Sequence, residues 1–596
     1  INGKGYATLA EAITAAQDGD TITLLKDCSS KRVDLDDKCI TIDLNGNTLT
    51  STSPYGVMFC AKNGHKITVN GMKEGSKLVG TLMVTSGTDG HIVINGGTYE
   101  NPQYCPIYIN GSVSTDNSTL SVKSATIIAN GTDSDQDAGC AVYLAGYCTS
   151  TFKDTTITAP VTGIEIRAGE LTLNTCTVTG GSGEVTADAN GNGTTVKNAA
   201  LAISQHTTKK PIDVTINGGT FTGKASVYQT DVQNTGSANV KASVKNGNFN
   251  GMVSGETNGT IAVSGGTFSS AVPENCCAPG FVPTQSGSTY GVKINENMAA
   301  EVLDAQRNTV GAYNTLAEAI NAAGNGDTVT LLKNVTENVT IPAGKTITLD
   351  LNGFTLVNSA TAQTNTAADR KHTITNNGTL TIKDSVGGGI VDNVSHGCAA
   401  IKNNVGGTVT IENGTFCRTA EASTGADNSG GNSYYVIDNQ GTMNINGGTF
   451  KFSDTKDGAY SSLIHNGWQD GTKNTGKTPA KMTITDGNFT QGTGGKITVK
   501  NDDYGELKIQ GGTFTQPQEG YYCVLNWNVA EITGGTINGP VGCGGNESLE
   551  GDKGKLTIGG TARIDGELQK NTSYGEPSIS VTGGNFANSV KDYVVS

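Results

Sequence analysis

The chain has 596 residues, of which 82 are glycine, and only 16% are charged, with a formal net charge of −14. Threonine, valine and isoleucine favour strands, while glycine and asparagine supply turns, so the composition predicts a β-rich protein. The acidic balance disfavours nucleic acid as a partner, because a phosphate backbone requires a basic surface. No apolar run approaches the ~20 residues that cross a bilayer, so we expect no membrane span in this chain.

The beginning of the chain is repeated in its middle. Residues 6–26, YATLAEAITAAQDGDTITLLK, return at 313–333 as YNTLAEAINAAGNGDTVTLLK, with 16 of 21 positions identical. In both copies a threonine stands three residues before a glutamate, Thr8 and Glu11 in the first, which is the spacing of a helix capping box. Apolar residues then fall at helical spacing and lead into a strand pattern. Each copy therefore predicts a short cap helix followed by strands.

A shorter repeat follows each helix. An alternating strand leads to Gly-Gly or Asn-Gly, then threonine or asparagine, then an aromatic residue, with ends at Tyr99, Phe221, Phe249, Phe268, Phe450, Phe489 and Phe514. Steps of roughly 20–30 residues with strand and turn content indicate a solenoid. A parallel β-helix fits this pattern, because equivalent side chains stack about 4.8 Å apart in successive coils. The aromatic residues would form an inward ladder, with glycine at the tight corner and asparagine stacks at similar corners.

These patterns predict an all-β chain of two tandem parallel β-helices, each a solenoid with a short N-terminal capping α-helix. The first domain is predicted over residues 1–296 and ends in a β-hairpin over 281–294. The second is predicted over 297–596 and lacks the closing hairpin. Because the chain starts without methionine and stops after "DYVVS", we expect a piece of a longer protein.

The opening "TLAEAI…GDTITLL…DLNG" and the "INGGTF" coils resemble the right-handed parallel β-helix repeats of large exported surface proteins of Gram-positive, often gut-dwelling, bacteria. Those proteins belong to the pectate-lyase-like folds. The resemblance implies right-handed coils and an extracellular or cell-surface location, without a defined enzyme activity. It is not specific for activity, because this fold supports lyases, hydrolases, adhesins and inert stalks alike.

The 13 cysteines bear on the compartment. One pair of cysteines in the first copy has no counterpart at either position of the second copy. The two cysteines of each of two further pairs lie about one coil apart in the sequence. A fourth pair flanks a local loop. These predicted disulfide candidates are Cys28 with Cys39, Cys398 with Cys417, Cys523 with Cys543, and Cys140 with Cys148. Disulfides would agree with an oxidising exterior. The alternative is that the cysteines are buried free thiols. The sequence contains no CxxC pair, so a structural zinc site of that kind is not predicted.

A catalytic site is not predicted. The best local candidates for a polysaccharide-cleaving site are Asp384, Asp392 and His396, followed by Lys402, but the other motifs of β-helical polygalacturonases are missing. Asp384 also occupies a corner position of the repeat, where an aspartate caps a turn. A second acidic group, Asp502 and Asp503 with Glu506, is interpreted as a solvated loop.

One short acidic motif suggests calcium as the only candidate cofactor. Asp133, Asp135 and Asp137 alternate as the oxygen ligands of calcium loops do. Ala138 and Leu144 replace the glycine and the glutamate of the EF-hand pattern. The alternative is a solvated acidic turn.

Aromatic residues collect in the long excursions of the second copy, at Tyr434, Tyr435, Trp468, Tyr521, Tyr522 and Trp527. Excursions from neighbouring coils emerge next to each other, so we expect these side chains on one flank. Aromatic faces with polar neighbours suit sugar rings or a protein partner. The alternative is that they pack against the solenoid and seal it.

Three functions are consistent with the sequence. The favoured one is a non-catalytic surface module, an adhesin or rigid stalk, with a glycan or a host surface protein as partner. The second is a polysaccharide-active lyase or hydrolase. The third is a self-assembling fibre or surface-layer subunit that associates end to end.

Overall fold

The structure, a computed structural model, consists almost entirely of parallel β-strands. Unit 1 comprises residues 1–295 and 309–311, and unit 2 comprises residues 296–308 and 312–596. Each unit is a parallel β-helix that begins with a short α-helix, so the predicted fold class is confirmed. The structure describes residues 1–111, 117–131, 139–189, 194–236, 239–256, 260–359, 371–395, 397–418, 435–452, 462–468, 476–492, 495–545 and 554–595.

Both predicted cap helices form, at Leu9–Ala15 and Leu316–Ala322. In unit 2 the Thr315 hydroxyl accepts from the Glu318 N–H, and the Glu318 carboxylate accepts from the Thr315 N–H, which completes the capping box. Thr8 caps the helix of unit 1 in the same way through its hydroxyl. Each helix buries its apolar face against the first coils.

Unit 1 has three faces of stacked strands. The first face consists of Thr21–Thr23, Ile40–Asp43, Lys66–Gly71, His91–Gly96, Ser118–Lys123, Cys148–Lys153, Gly169–Asn174, Ile212–Ile216, Val240–Val244 and Ile261–Val263. The second consists of Cys28–Ser30, Thr48–Ser51, Lys77–Val79, Thr98–Asn101, Thr126–Ala129, Thr156–Thr158, Cys176–Thr179, Gly219–Thr230, Asn248–Gly255 and Thr267–Phe268. The third consists of Val33–Leu35, Val57–Ala61, Thr81–Val84, Ile107–Ile109, Cys140–Leu144, Thr162–Ile166 and Ala199–Ser204, and continues into the later halves of Gly219–Thr230 and Asn248–Gly255.

Unit 1 has further small elements outside these faces. Thr186–Ala187 pairs antiparallel with Val196–Lys197. Phe281–Ser286 and Thr289–Ile294 form an antiparallel hairpin, and Tyr290 of this hairpin pairs with Phe268 of the last coil. Short 3-10 turns occupy Pro54–Gly56 and Glu274–Cys276.

Unit 2 repeats the arrangement with three separate sheets. Apart from Thr309–Tyr313, whose first three residues are assigned to unit 1, the first consists of Ala300–Leu303, Thr328–Leu331, Thr346–Asp350, Thr379–Lys383, Thr408–Ile411, Thr442–Ile445, Ala480–Ile484, Gly505–Ile509, Val529–Ile532, Lys555–Ile558 and Ser578–Val581. The second consists of Val335–Thr336, Thr355–Val357, Ile390–Asn393, Thr415–Arg418, Thr449–Phe452, Asn488–Thr490, Thr513–Thr515, Thr536–Asn538, Arg563–Ile564 and Asn585–Phe586. The third consists of Val339–Ile341, Ile374–Asn376, Ile401–Asn403, Ile437–Asn439, Ser462–Asn466, Ile497–Asn501, Tyr522–Asn526, Val541–Cys543 and Leu568–Lys570. A 3-10 turn follows at Lys591–Tyr593.

The predicted aromatic ladder lies inside each unit. In unit 2 the rings of Phe416, Phe450, Phe489 and Phe514 stack in order, with centroids 5.1, 4.6 and 4.5 Å apart. Gly448 occupies the corner before Phe450 with φ of 104°, and a Cβ there would lie 3.0 Å from the carbonyl oxygen of the preceding corner. The pattern Gly-Thr-Phe therefore encodes one inward ring and one tight corner per coil.

A second ladder, formed by buried asparagines, runs along the third sheet of unit 2. In this asparagine ladder each side-chain Nδ2 donates to the Oδ1 of the next, at 2.7–2.8 Å, through Asn376, Asn403, Asn439, Asn466, Asn501 and Asn526. All six are fully buried. Because an unpaired buried amide is costly, the ladder fixes the register of the coils.

All thirteen cysteines are free thiols in the structure, so none of the four predicted pairs is joined. The register explains one case, because the parallel pairing places Cys543 beside Asn526, three residues from Cys523. Cys140 and Cys148 lie in two different apolar clusters, one outside the solenoid wall and one inside it. Sequence separation of one coil is therefore insufficient for a disulfide.

Among the described residues, no helix is long and apolar enough to cross a membrane.

Candidate functional site

A three-residue pattern marks the third sheet of unit 2. An apolar residue points inward, the next residue points outward, and an asparagine joins the ladder, as in Ile401–Asn403 and Ile437–Asn439. The outward residues of four successive coils are Lys402, Asp438, His465 and Lys500, and the strand register sets each beside the next. With Asp502 we call them the charged ladder.

The charged ladder is connected by ion pairs and hydrogen bonds from coil to coil. Lys402 Nζ lies 2.6 Å from Asp438 Oδ2, and the other oxygen of Asp438 lies 2.9 Å from His465 Nδ1. His465 Nε2 lies 3.4 Å from Asp502 Oδ2, which also contacts Lys500 Nζ at 2.7 Å. The imidazole thus bridges two carboxylates, and each carboxylate also binds a lysine.

The charged ladder is buried, and burial affects the pKa values of its members. The side chains of His465 and Asp502 are 3% and 0% exposed. Burial alone lowers the pKa of His465, but its hydrogen bond to Asp438 and its ion pair with Asp502 raise that pKa above the ordinary value. Burial would raise the pKa of both carboxyl groups, yet Lys402, Lys500 and His465 hold them below the usual range. The carboxylates are therefore ionised and the imidazole favours its protonated form.

Burial also shifts the pKa values of two neighbouring side chains, Tyr435 and His372. The Tyr435 ring stacks on His465, with centroids 4.3 Å apart and planes 10° from parallel. Burial, reinforced by Asp502 and Asp438, raises the pKa of Tyr435 well above its ordinary value. Burial lowers the pKa of His372 to about 4, and its Nδ1 accepts from the Ala399 N–H. Both groups are neutral at physiological pH.

The structure brings three of the predicted aromatic residues to this site. Tyr435 lies on the imidazole, Trp468 pairs with Asp503 through its backbone, and Trp527 lies under Lys500 Nζ, which is 4.1 Å from the ring centroid. Tyr435 is buried, so its packing agrees with a sealing role. The two tryptophans are half-buried.

Lysines accompany the half-buried rings on this flank. Lys477 Nζ lies 4.7 Å from the Trp468 ring centroid, and Lys496 Nζ lies 3.9 Å from that of Tyr521. The Trp468 indole N–H donates to a backbone carbonyl of residue 478 at 2.9 Å. Tyr522 is half-buried beside Tyr521, and the predicted Tyr434 lies outside the described residues.

The other sequence candidates have different outcomes. Asp384 caps a turn, because its carboxylate accepts from the Gly353 and Gly389 N–H groups at 2.8 and 2.7 Å. Asp392 is buried in the wall, where its carboxylate accepts from the Cys417 thiol at 3.5 Å. The predicted catalytic candidate His396 and the predicted calcium ligands lie outside the described residues; the latter are Asp133, Asp135 and Asp137.

The interpretation of Asp502 and Asp503 as a solvated loop is wrong. Their residues are 0% and 1% exposed, while the Glu506 side chain is 47% exposed. Asp502 contacts Lys500, two residues before it, and His465, which the stacking of the coils brings close.

The same flank of unit 1 carries a different buried cluster. The rings of Tyr104, Tyr108 and Tyr143 pack in a tilted series, with centroids 4.7 and 4.9 Å apart, and an Arg167 guanidinium N–H donates to the Tyr143 hydroxyl at 3.1 Å. Glu165 is fully buried, and burial raises its pKa although Arg167 and backbone N–H groups oppose this. In both units strands of the third face therefore carry buried charged side chains, Glu165 in unit 1 and His465 in unit 2.

Sequence analysis missed the charged ladder, although a signal was present. The pattern apolar–X–Asn recurs as "IKN", "IDN", "IHN" and "VKN", and its middle letters are the ladder. The intervals between these triplets vary because loops of different length intervene, so the period alone does not align them.

No protein family, curated protein or solved structure matches the chain.

Proposed function

We propose that the chain is a non-catalytic extracellular or cell-surface module, an adhesin or rigid stalk, which binds an acidic glycan through the flank of unit 2. One observation carries the proposal: the half-buried rings of Trp468, Tyr521 and Trp527 each lie beside a lysine ammonium. Aromatic faces pack against sugar rings, and lysines attract the carboxylate or sulfate of an acidic sugar.

The burial of the charged ladder supports a binding role over catalysis. A general acid or base must come within hydrogen-bond distance of the atom it protonates or deprotonates. His465 and Asp502 are enclosed by their own neighbours, so their charges serve the wall of the solenoid. The rigid wall then presents the aromatic flank without rearrangement, which lowers the entropic cost of binding.

The test is a glycan array with matched neutral, sialylated, sulfated and uronic-acid arms. We expect the full chain to bind acidic arms, and Trp468→Ala and Tyr521→Ala to weaken this binding by at least about tenfold, because each removes a contact worth more than about 1.4 kcal/mol. Tyr574→Ala is the matched control, since Tyr574 is 45% exposed in the same unit, away from these lysines. Equal binding by all three variants, or preference for neutral glycans, would contradict the proposal.

A second candidate, polysaccharide cleavage, is favoured by one observation. The carboxylates of Asp438 and Asp502 lie 2.9 and 3.4 Å from the two ring nitrogens of His465, and paired carboxyl groups perform acid–base chemistry in glycoside cleavage. The same array glycans, assayed for reducing ends and unsaturated products, separate the two functions. Products that vanish in His465→Gln would favour cleavage, whereas binding without products favours the module.

A further inference from the structure

Three metal-binding side chains meet at one corner of unit 1, far in sequence from the aromatic flank. Asp18 follows the cap helix, Cys39 directly precedes the strand Ile40–Asp43, and His65 directly precedes the strand Lys66–Gly71. Because Ile40 pairs with Ile67 of the next coil, these strand beginnings lie side by side. The corner therefore collects an oxygen, a sulfur and a nitrogen donor.

The distances suit a single metal ion. The three donor atoms all lie within 4.8 Å of one another, and Cys39 Sγ is 3.9 Å from His65 Nδ1. With zinc–sulfur and zinc–nitrogen bonds of about 2.3 and 2.0 Å, tetrahedral coordination places sulfur and nitrogen about 3.5 Å apart. Side-chain rotations would bring the three donors, now within 4.8 Å of one another, to that geometry.

The backbone already orients the donors. The Cys39 N–H donates to Asp18 Oδ1 at 2.7 Å, and the Lys66 N–H donates to Cys39 Sγ at 3.3 Å. These two bonds hold the carboxylate and the sulfur beside each other at the corner. Cys39 and His65 are half-buried and Asp18 is exposed, so an ion can enter from solvent.

Unit 2 provides an internal comparison, because its matching corner keeps the turn and lacks the donors. There the Thr346 N–H donates to Asn325 Oδ1 at 2.8 Å, as in unit 1. Gly378 stands in place of the histidine, directly before Thr379, the neighbour of Thr346 in the next coil. The fold of the corner therefore does not require aspartate, cysteine and histidine, and the three differ between the copies as a set.

We propose that Asp18, Cys39 and His65 form a zinc site with three protein ligands and a fourth position open to water. Thiolate and imidazole favour zinc over calcium and magnesium. The ion would connect the cap-helix turn to the first two coils of unit 1, so binding stabilises that end of the solenoid.

The test uses the full chain, stripped with chelator and reloaded with zinc or cobalt. We expect about one zinc per chain by elemental analysis, and a sulfur-to-cobalt charge-transfer band with cobalt. Cys39→Ser should abolish that band, and Cys39→Ser and His65→Ala should each weaken zinc binding at least about tenfold. Cys28→Ser and His91→Ala are matched controls, because both residues belong to the same unit and lie outside the donor set.

Circular dichroism of each variant separates loss of the site from loss of the fold. Two results would overturn the proposal: no zinc retained by the wild-type chain, or zinc retained equally by both ligand variants and both controls. The second result would place the metal on other surface groups. Either outcome leaves the proposed glycan binding of unit 2 untouched, because the array experiment has its own variants.

Discussion

His465 shows how one buried side chain sets the energetics of its surroundings. It bridges Asp438 and Asp502, and each carboxylate also contacts a lysine. Such a network contributes little net stability compared with an apolar core, because the desolvation of its charges offsets their attraction. Removing one member is costly, since it leaves the partner charge buried without compensation.

We therefore expect His465→Ala to lower the free energy of unfolding of unit 2 by about 3–5 kcal/mol. Both tryptophans of the chain lie in unit 2, so tryptophan fluorescence during urea unfolding reports on this unit. Lys481→Ala is the control, because its ion pair with Glu506 is long and 62% exposed on the lysine side, and such pairs contribute under about 1 kcal/mol. Equal effects of the two substitutions on the free energy of unfolding would contradict the role of His465 as a bridge between two buried carboxylates.

The same residue predicts a pH dependence. Because the pKa of His465 is higher in the folded than in the unfolded chain, its protonated form stabilises unit 2 fully below the unfolded pKa of about 6.5. This contribution is lost as the pH rises through the folded pKa. The stability difference between wild type and His465→Gln should therefore be largest below the unfolded pKa and shrink as the pH rises through the higher, folded pKa.

The titration of His372 contributes equally to the stability of both proteins, because its lowered pKa is common to them, so it does not affect the difference. Fluorescence-detected urea curves at several pH values measure the difference directly. A difference that grows with pH would show that the histidine is neutral in the folded chain.

At the scale of the element, the asparagine ladder explains why the coils of unit 2 hold their register despite loops of unequal length. Asn439 illustrates this, since its Nδ2 donates to Asn466 Oδ1 and to the carbonyl oxygens of Gly441 and Lys481. Its Oδ1 accepts from Asn403 Nδ2 at 2.7 Å. A shift of one residue would break all of these contacts together.

Asn439→Ala should therefore destabilise unit 2 by about 2–4 kcal/mol, because it leaves several buried donors and acceptors without partners. Asn404→Ala is the matched control: Asn404 is half-buried and its side chain donates to a single neighbour, Asn377. We expect less than about 1 kcal/mol there. The same fluorescence-detected unfolding measures the free energy of unfolding of both variants. A small effect of Asn439→Ala would show that the asparagine ladder does not fix the register.

Sequence predicted the elements better than the site. The Gly-Thr-Phe corners and the Thr-x-x-Glu caps are local, so Phe450 and Thr315 could be assigned from their immediate neighbours. The charged ladder depends on which residues stack across loops of unequal length, and no local pattern gives that register. The sequence pattern favours a solvated Asp502 for this reason, because its partner His465 is 37 residues earlier in the numbering.

At the scale of the whole molecule, thirteen free thiols are distributed over both units, and ten of them are buried. Burial raises the pKa of most of these thiols, to about 12 at Cys148 and Cys523. A buried thiol with a raised pKa reacts slowly, because the thiolate is the nucleophile. The interior cysteines are thus protected even in an oxidising compartment.

We expect dithiothreitol to leave the thermal unfolding of the full chain unchanged, since no cross-link is present to reduce. In the native chain a thiol reagent should label only the half-buried cysteines, Cys28, Cys39 and Cys277. Zinc should protect Cys39 alone. Denaturation with guanidinium should expose all thirteen thiols to the reagent. Fewer than thirteen labelled thiols would indicate disulfides, with the four candidate pairs as the first to examine.

The asparagine ladder also gives unit 2 an electrical direction. In every link of it one Nδ2–H donates to the asparagine of the next coil, from Asn376 to Asn526, so the amide dipoles add rather than cancel. At the far end the Asn526 Nδ2 lies 3.5 Å from Cys543 Sγ and helps to lower the pKa of a thiol that burial raises to about 11. Unit 2 is thus polarised along the direction in which its coils stack, positive toward Cys543, as an α-helix is polarised along its axis.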